Sequence, residues 1–268
     1  MADGNGPLLI IGGNEDKEGD CVILSEIARR LDGGRLVIAT VASREPDGYF
    51  DAYRDAFAAL GVHDLVHLYV QERSDSADET ALSTLDGAGA IFFTGGDQLR
   101  ISSQIGDTPV ERRILELHRA GALIAGTSAG ASVMSETMLV KGPSAESYRI
   151  GELHMAPGMG LIRDVIIDQH FAERGRYGRL LGAVAHNPRL LGVGIDENTA
   201  LLVDGRVGRT LGAGAVYVVD GEATTHSNIA EAGSENPLSM FDVRMHVLST
   251  GDRFDFEARR PSKGKAGS

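Results

Sequence analysis

Short runs of isoleucine, valine and leucine alternate with longer amphipathic segments through the first two-thirds of the chain, and this alternation strongly constrains the fold. The apolar runs are Pro7–Ile11, Leu36–Ala42, Leu65–Val70, Ala90–Thr94, Leu123–Gly126, Val165–Gln169 and Leu191–Asp196. The segments between them have helical spacing, as in Val22–Leu31, Tyr49–Leu60, Glu79–Leu85 and Pro109–Ala120. Apolar strands separated by helices are typical of one parallel sheet with helices on both faces. We therefore predict an α/β fold whose ligand site lies at the carboxyl ends of the strands.

The pattern changes after Ala200, where short strands are separated by glycine-rich turns. An antiparallel meander is predicted from Ala200–Val203, Val207–Thr210 and Val216–Val219, and further strands covering a sheet edge from Phe241–Ser249 and Arg253–Ala258. Neither an internal repeat nor a long linker divides the sequence. We predict one domain over residues 1–260 with a C-terminal antiparallel β extension, followed by a disordered tail over residues 261–268.

Composition argues against several classes of partner and site. The 268 residues include 26 Lys and Arg against 38 Asp and Glu, a formal net charge of −12. Nucleic acids and anionic membranes bind basic surfaces, so neither is an expected partner. The single cysteine, Cys21, cannot form an internal disulfide, and no Cys/His spacing indicates a metal site. No apolar run has transmembrane length and Asp3 replaces the basic start of a signal peptide, so we predict a cytoplasmic protein.

A buried strand runs directly into Gly126-Thr127-Ser128-Ala129-Gly130. A Gly-x-Ser-x-Gly turn between strand and helix is typical of a nucleophile elbow, where small neighbours permit a strained backbone that exposes the serine oxygen. The turn at Gly95-Gly96 ends the preceding strand at the same edge of the predicted sheet. We predict Ser128 as nucleophile and the Gly96 and Ala129 N–H groups as an oxyanion hole. The alternatives are a phosphate-binding loop and an ordinary turn with a helix cap.

Of the eight histidines, His170 ends a predicted buried strand at the ligand-binding edge, so we predict it as the general base. Its orienting acid should follow another strand, and Asp196-Glu197 follows the next one. Adjacent side chains in a strand point to opposite sides, so only one of the two acids reaches His170 and the other caps a helix or loop.

Three arginines, Arg174, Arg176 and Arg179, follow His170 within ten residues of the chain. Arg176 and Arg179 share a helical face, and cations near a helix N-terminus are unfavourable unless an anion lies beside them. We therefore predict that the arginines bind substrate carboxylates through forked hydrogen bonds. The alternative is a solvated start of a helix.

Together these segments resemble the cyanophycinases, within the serine peptidase family that also contains peptidase E (aspartyl dipeptidase). The matching segments are Gly12–Lys17, Thr94–Gln98, Gly126–Ala131, Asp168–Phe171 with the arginines, and Gly194–Ala200. The resemblance implies a fold similar to class I glutamine amidotransferases, with serine in place of their cysteine. It also implies a homodimeric serine exopeptidase that hydrolyses cyanophycin, a polyaspartate with arginine on each β-carboxyl, to β-Asp-Arg dipeptides through an acyl-enzyme.

The resemblance also implies roles for individual residues and requires no metal or cofactor. Ser128 would be the nucleophile, His170 the base and Glu197 the acid that orients it. The residues of the aspartate-binding pocket would be Gln98, Asp168, Gln169, Arg174, Arg176 and Arg179.

Three alternative functions stay open. An aspartyl or isoaspartyl dipeptidase of the same family differs only in its pocket contacts. An α/β-hydrolase shares the Gly-x-Ser-x-Gly turn but needs a histidine after the acid, which would have to be His226 or His246. A non-catalytic binding module with the same pocket would not react with a fluorophosphonate.

Overall fold

The computed structural model describes residues 4–141, 153–231 and 236–264 of the chain. The α-helices within these ranges are α1 (Val22–Leu31), α2 (Pro46–Ala59), α3 (Glu79–Ser83), α4 (Gln98–Ile105), α5 (Pro109–Arg119), α6 (Ala129–Ser132) and α7 (Tyr177–His186). The first nine strands are β1 (Leu8–Ile11), β2 (Arg35–Ala39), β3 (Leu65–Leu68), β4 (Ala88–Phe93), β5 (Leu123–Thr127), β6 (Thr137–Lys141), β7 (His154–Pro157), β8 (Val165–Gln169) and β9 (Leu191–Ile195). The others are β10 (Thr199–Asp204), β11 (Val207–Gly212), β12 (Val216–Asp220), β13 (His226–Ser227), β14 (Met240–Phe241), β15 (Arg244–Leu248), β16 (Arg253–Asp255) and β17 (Arg260–Ser262). A 3-10 helix at Arg73–Ala77 precedes α3, and no described helix is long and apolar enough to cross a membrane.

The first five strands lie parallel in the order β1-β5-β4-β2-β3 and are five adjacent strands of a nine-stranded sheet. β1 pairs antiparallel with β10 on its other side, and β11, β16 and β17 continue the sheet from there. Every residue of β1 and β5 is buried, as expected for strands covered on both faces. The predicted α/β fold with an antiparallel extension is confirmed.

The strands before the predicted base and acid lie in a second sheet. β8 and β9 pair parallel with each other, and β12 and β15 complete four strands in the order β15-β12-β9-β8. The prediction of one parallel sheet for all the early strands is therefore wrong for these two. The third strand of the predicted meander, β12, also leaves β11 and pairs with β9. Hydrophobic periodicity identifies strands but carries no information about which strands pair.

Alternate residues of the central strands pack on opposite faces of the large sheet. Leu9 and Ile11 of β1 belong to the cluster that includes the apolar faces of α1 and α2. Leu8 and Ile10 belong to the cluster that includes α4 and α5, and this second cluster also contains residues of β8, β9 and β12. One apolar core therefore joins the two sheets. Because each fully buried aliphatic side chain stabilises the fold by about 1.5–3 kcal/mol, this core holds the sheets in a defined relation.

The C-terminal strand extends into the predicted disordered tail. Pro261 and Ser262 lie in β17 and pair with β16, so a tail beginning at residue 261 is wrong for these two positions. Pro261 is compatible with β17 because this strand forms an edge of the sheet, where a missing N–H breaks no ladder. Residues 265–268 of the predicted tail lie outside the described residues.

The loop after β1 joins the carboxyl ends of the two sheets through backbone hydrogen bonds. The Gly12 carbonyl accepts the His170 N–H at 2.8 Å, and the Gly13 carbonyl accepts the Asn198 N–H at 2.8 Å. The backbones approach so closely that a Cβ on Gly12 would lie 2.0 Å from the backbone oxygen of Asp196. Glycine is therefore required where the two sheets meet.

We expect Gly12→Ala to lower the free energy of unfolding by about 1–3 kcal/mol, because the added Cβ meets backbone that cannot move without displacing the end of β9. Gly48→Ala is the matched control, since a Cβ there, in α2, has no atom within 4 Å and alanine favours helix over glycine. Urea unfolding of wild type and both variants measures the difference. Equal midpoints for wild type and Gly12→Ala would contradict this account of the sheet junction.

Candidate active site

Ser128 lies at the sharp turn between β5 and α6. Its backbone angles, φ 53° and ψ −109°, fall outside the regions that non-glycine residues favour. Small neighbours permit the turn, since a Cβ on Gly126 would lie 2.4 Å from the Gly130 oxygen and one on Gly130 would lie 2.4 Å from the Phe93 oxygen. The Ser128 N–H donates to the Ile11 carbonyl at 3.1 Å. The strand–turn–helix geometry predicted from the sequence is present.

His170 lies within hydrogen-bond distance of both Ser128 and Glu197. Its Nε2 is 3.0 Å from Ser128 Oγ, and its Nδ1 is 2.6 Å from Glu197 Oε1. His170 has a positive φ of 46° and is held there by the backbone bond to Gly12. In this connectivity the carboxylate orients the imidazole, and the imidazole can take the proton of the hydroxyl.

Of the two adjacent acids, Glu197 contacts His170 and Asp196 caps loops, as the alternation of side chains at the strand end predicts. Asp196 accepts the Ala172 N–H at 2.9 Å and the Ala215 N–H at 3.1 Å through different oxygens. The Asn14 amide, and after it His170, hold the pKa of the Glu197 carboxyl below its ordinary value, against the opposing effect of burial. Glu197 is therefore an anion at neutral pH.

Burial lowers the pKa of the His170 imidazole. The positive charges of Arg174 and Arg176 act in the same direction, while the hydrogen bond to Glu197 opposes them. His170 is therefore neutral at neutral pH, which is the form that accepts a proton.

The predicted oxyanion hole consists of two backbone N–H groups, those of Ala129 and Gly96. Ala129 begins α6 directly after the nucleophile, and Gly96 lines the same cavity as Ser128. Among the described residues, neither N–H has a hydrogen-bond acceptor. The Asp97 side chain caps α4 by accepting the Leu99 N–H at 2.9 Å, so the turn at Gly95-Gly96 is also followed by the predicted helix cap.

Asp168 occupies the place at the arginines where an external anion was expected. Its carboxylate is fully buried and accepts hydrogen bonds from Arg176 Nη1 at 3.1 Å and from Arg179 Nε at 2.8 Å. A further Arg179 nitrogen, Nη2, donates to the same carboxylate. Asp168 therefore lies behind the cavity wall and holds two arginines, and it does not line the pocket as predicted. Arg174 is exposed and lines the cavity.

The predicted glutamines line the cavity and are held by hydrogen bonds within the protein. Arg176 Nη1 donates to Gln169 Oε1 at 3.0 Å, and Gln98 Nε2 donates to the Leu139 carbonyl at 2.8 Å. Burial lowers the pKa of Arg176 to about 10, so the guanidinium stays charged at neutral pH. Its Nε is buried without an acceptor among the described residues, and an unsatisfied buried donor costs stability.

These side chains surround a cavity of about 490 Å³, a size typical of small-molecule sites. Its described lining includes four cations, Lys17, Arg174, Arg176 and Arg179, and no Asp or Glu. In a chain with a net charge of −12, this concentration of positive charge favours an anionic group as the occupant.

Sequence reasoning missed the contribution of the loop after β1. Asn14 and Lys17 line the cavity, and the buried Glu15 accepts a hydrogen bond at 2.6 Å from Oγ1 of Thr127, the residue before Ser128. The available signal was their place at the carboxyl end of a buried strand, which is where ligands bind in such sheets.

The two histidines that an α/β-hydrolase would need lie elsewhere. The His226 ring packs against Phe241 in β14, and the His246 ring against Phe254 in β16. Because His170 already holds the hydroxyl of Ser128, the geometry does not support that alternative. Within the described ranges, no group of three or more His, Cys, Asp or Glu side chains could hold a metal ion.

The sequence model of peptidase family S51 matches residues 8–211. The chain is 39% identical over 261 residues to a cyanophycinase from Geminocystis herdmanii (strain PCC 6308), covering 96% of each protein. It is 40% identical over 257 residues to one from Trichormus variabilis (strain ATCC 29413 / PCC 7937), covering 94% of this chain and 86% of that protein. It is 37% identical over 260 residues to one from Synechococcus elongatus, covering 95% and 80%.

Two solved structures share the fold. A peptidase from an acI-B1 actinobacterium superposes with a TM-score of 0.66 at 22% identity, covering 94% of this chain and 97% of that one. A putative peptidase E from Listeria monocytogenes EGD-e gives 0.53 at 17% identity, covering 78% and 99%. At these identities the likeness concerns the fold alone.

We expect the rate at which a fluorophosphonate labels Ser128 to rise with pH to a plateau. The midpoint of this rising limb should lie at a pH below about 6.5, the ordinary pKa of histidine. Neutral His170 is the reactive form, and a lowered pKa keeps it neutral to lower pH. Glu197→Gln removes a group that raises this pKa, so the limb moves further down. The labelling rate of this variant at the plateau falls by up to about 10⁴-fold, because the amide no longer holds the imidazole in the tautomer that accepts the serine proton.

Asp196→Asn is the control for this measurement, since Asp196 faces two loop amides rather than the imidazole. We expect its limb to coincide with that of wild type. An upward shift of the limb in Glu197→Gln would refute the pairing of Glu197 with His170.

We expect Arg179→Ala to lower the free energy of unfolding by about 3–5 kcal/mol, because it leaves a buried carboxylate without its main partner. Arg179→Lys should not restore the loss, since a single ammonium cannot reproduce the forked contact. Arg174→Ala is the control, because Arg174 is exposed and its loss should change stability by less than about 0.5 kcal/mol. Urea unfolding compares the variants, and equal stabilities would argue against a structural role for Asp168.

Proposed function

The chain belongs to peptidase family S51, and we propose that it is a cyanophycinase, a serine exopeptidase that hydrolyses the polyaspartate backbone of cyanophycin to β-Asp-Arg dipeptides. The observation that carries this proposal is the chain of Ser128, His170 and Glu197 beside a cavity lined by four cations. The identity of 37–40% with cyanophycinases along almost the whole chain supports it.

The first half of the reaction forms an acyl-enzyme. His170 Nε2 accepts the proton of Ser128 Oγ as this oxygen attacks the backbone carbonyl of a β-Asp-Arg unit. The carbonyl oxygen becomes an oxyanion, which the N–H groups of Gly96 and Ala129 stabilise. Glu197 stabilises the imidazolium that forms. The C–N bond then breaks, and His170 gives its proton to the leaving amine.

The second half releases the product. A water molecule gives a proton to His170 and adds its oxygen to the acyl carbon, so that the oxyanion forms again at the same two amides. When it collapses, the bond to Ser128 Oγ breaks and His170 returns the proton to that oxygen. The enzyme is restored, and one peptide bond and one water molecule have been consumed.

The chemistry of cyanophycin fits a cationic cavity. Both carboxyls of each internal aspartate are in amide bonds, so the one free carboxylate of a unit belongs to its arginine. We propose that Arg174 and Arg176 bind this carboxylate, with Gln98 and Gln169 beside them. Arg179 and Asp168 hold Arg176 in place. The guanidinium of the substrate is repelled by the same cations and faces the acidic exterior.

We also propose one catalytic domain over residues 1–260 that acts in the cytoplasm as a homodimer without metal or cofactor. An aspartyl or isoaspartyl dipeptidase is a less favoured function, because the three relatives compared with this chain are cyanophycinases. Incubation with purified cyanophycin, with β-aspartyl and α-aspartyl dipeptides as parallel substrates, distinguishes the two by mass spectrometry of the products.

We expect Ser128→Ala to remain folded and to lose cyanophycin hydrolysis by a factor on the order of 10³ or more, because it removes the attacking oxygen. His170→Ala should be as severe, since no other group takes the proton. His226→Ala and His246→Ala are the matched controls and should retain most activity, because their rings pack away from Ser128. Release of β-Asp-Arg measures all four, and near-native turnover by Ser128→Ala would exclude it as the nucleophile.

A further inference from the structure

Glu15 is a buried carboxylate bonded to the residue before the nucleophile, and the proposed reaction does not use it. It is 3% exposed, and both of its oxygens accept hydrogen bonds. Oε2 accepts from Thr127 Oγ1 at 2.6 Å, and Oε1 accepts from the Tyr53 hydroxyl. Thr127 directly precedes Ser128, so this carboxylate is tied both to the elbow and to α2.

The same carboxylate holds Lys17 at the edge of the cavity. Lys17 Nζ lies 3.5 Å from Glu15 Oε1 and donates to the Glu15 carbonyl oxygen at 3.3 Å. It also lies 4.8 Å from the centre of the Tyr53 ring, within the range of a cation–π interaction. Three contacts therefore position the ammonium of a side chain that is still 32% exposed and lines the cavity. Such positioning reduces the entropy that a lysine loses when it binds a ligand.

Lys17 differs from the buried Arg176 and Arg179 in the groups that its positive charge contacts. Arg176 and Arg179 share the Asp168 carboxylate behind the wall, so three of their six guanidinium nitrogens donate within the protein. Glu15 has already accepted hydrogen bonds from two hydroxyl groups, and the ammonium at 3.5 Å is only loosely paired with it. The Lys17 ammonium has three N–H donors, and its contacts with Glu15 leave at least one for a group in the cavity.

We propose that Lys17 binds a carboxylate of the substrate and is a specificity-determining residue, held for that role by Glu15 and Tyr53. The inference rests on the proposed function, since it assigns a contact within the same site. The carboxylate belongs either to an arginine of the polymer or to the C-terminal end of the polyaspartate backbone. Both sources offer the same chemistry, and the experiment separates them.

The test compares Lys17→Met with wild type on three synthetic substrates. These are a soluble trimer of β-Asp-Arg units, the same trimer with its arginine carboxylates converted to amides, and the trimer with only its backbone C-terminus amidated. Lys263→Met is the matched control, because Lys263 is exposed and lies outside the cavity lining. Lys17→Gln provides a second variant if the methionine protein folds poorly.

We expect Lys17→Met to lower kcat/KM for the free trimer by about 10- to 100-fold, as for loss of one charge-assisted hydrogen bond. One of the two amidated trimers should be cleaved equally by Lys17→Met and Lys263→Met, and that trimer identifies the carboxylate bound. An equal loss on all three substrates would mean that Lys17 only supports the fold, and would overturn the inference. Failure of wild type to cleave any trimer or cyanophycin would instead overturn the proposed function, and the inference with it.

Discussion

Backbone hydrogen bonds between the loop after β1 and the ends of two sheets are the constraint on which the site depends. Ser128 donates to the carbonyl of Ile11, His170 to that of Gly12 and Asn198 to that of Gly13. Three consecutive carbonyls therefore fix the nucleophile, the base and the residue after the orienting acid. These bonds use only backbone atoms. They bring together Ser128, at the end of a strand of the nine-stranded sheet, and His170, at the end of a strand of the four-stranded sheet, without requiring particular side chains. A Cβ on Gly12 would clash with the Asp196 backbone and disturb this arrangement.

The parts of the molecule that could be predicted are those set by local pattern. The buried parallel strands follow from continuous apolar runs, and the turn at Ser128 follows from small residues after such a run. The separation of β8 and β9 into a second sheet could not be predicted, because a strand's sequence does not identify its neighbour. The role of Asp168 as a partner of two arginines could not be predicted either. A buried ion pair depends on which acid folds against which arginine, and the two arginines alone indicated only that an anion was needed.

That anion requirement is only partly met within the protein. Two buried guanidinium groups, those of Arg176 and Arg179, share one carboxylate, which leaves a positive charge unbalanced in a region of low dielectric. One buried donor, Arg176 Nε, has no acceptor in the described part of the chain. Both features cost stability in the free protein, and a carboxylate bound in the cavity would offset the unbalanced charge. Asp168 therefore reduces the excess of positive charge near the N-terminus of α7 without removing it.

The distribution of charge over the whole molecule has the opposite sign to that of the cavity. A chain with a net charge of −12 attracts cationic groups over a distance of about one Debye length, whereas the cations inside the cavity select carboxylates at contact. A β-Asp-Arg unit carries both charges, a guanidinium at the end of a flexible side chain and a carboxylate near the backbone. An acidic exterior with a cationic cavity therefore orients such a unit, because only one of its two ends is favoured inside. A dipeptide that lacks the guanidinium would be bound by the cavity but would lose the attraction of the surface.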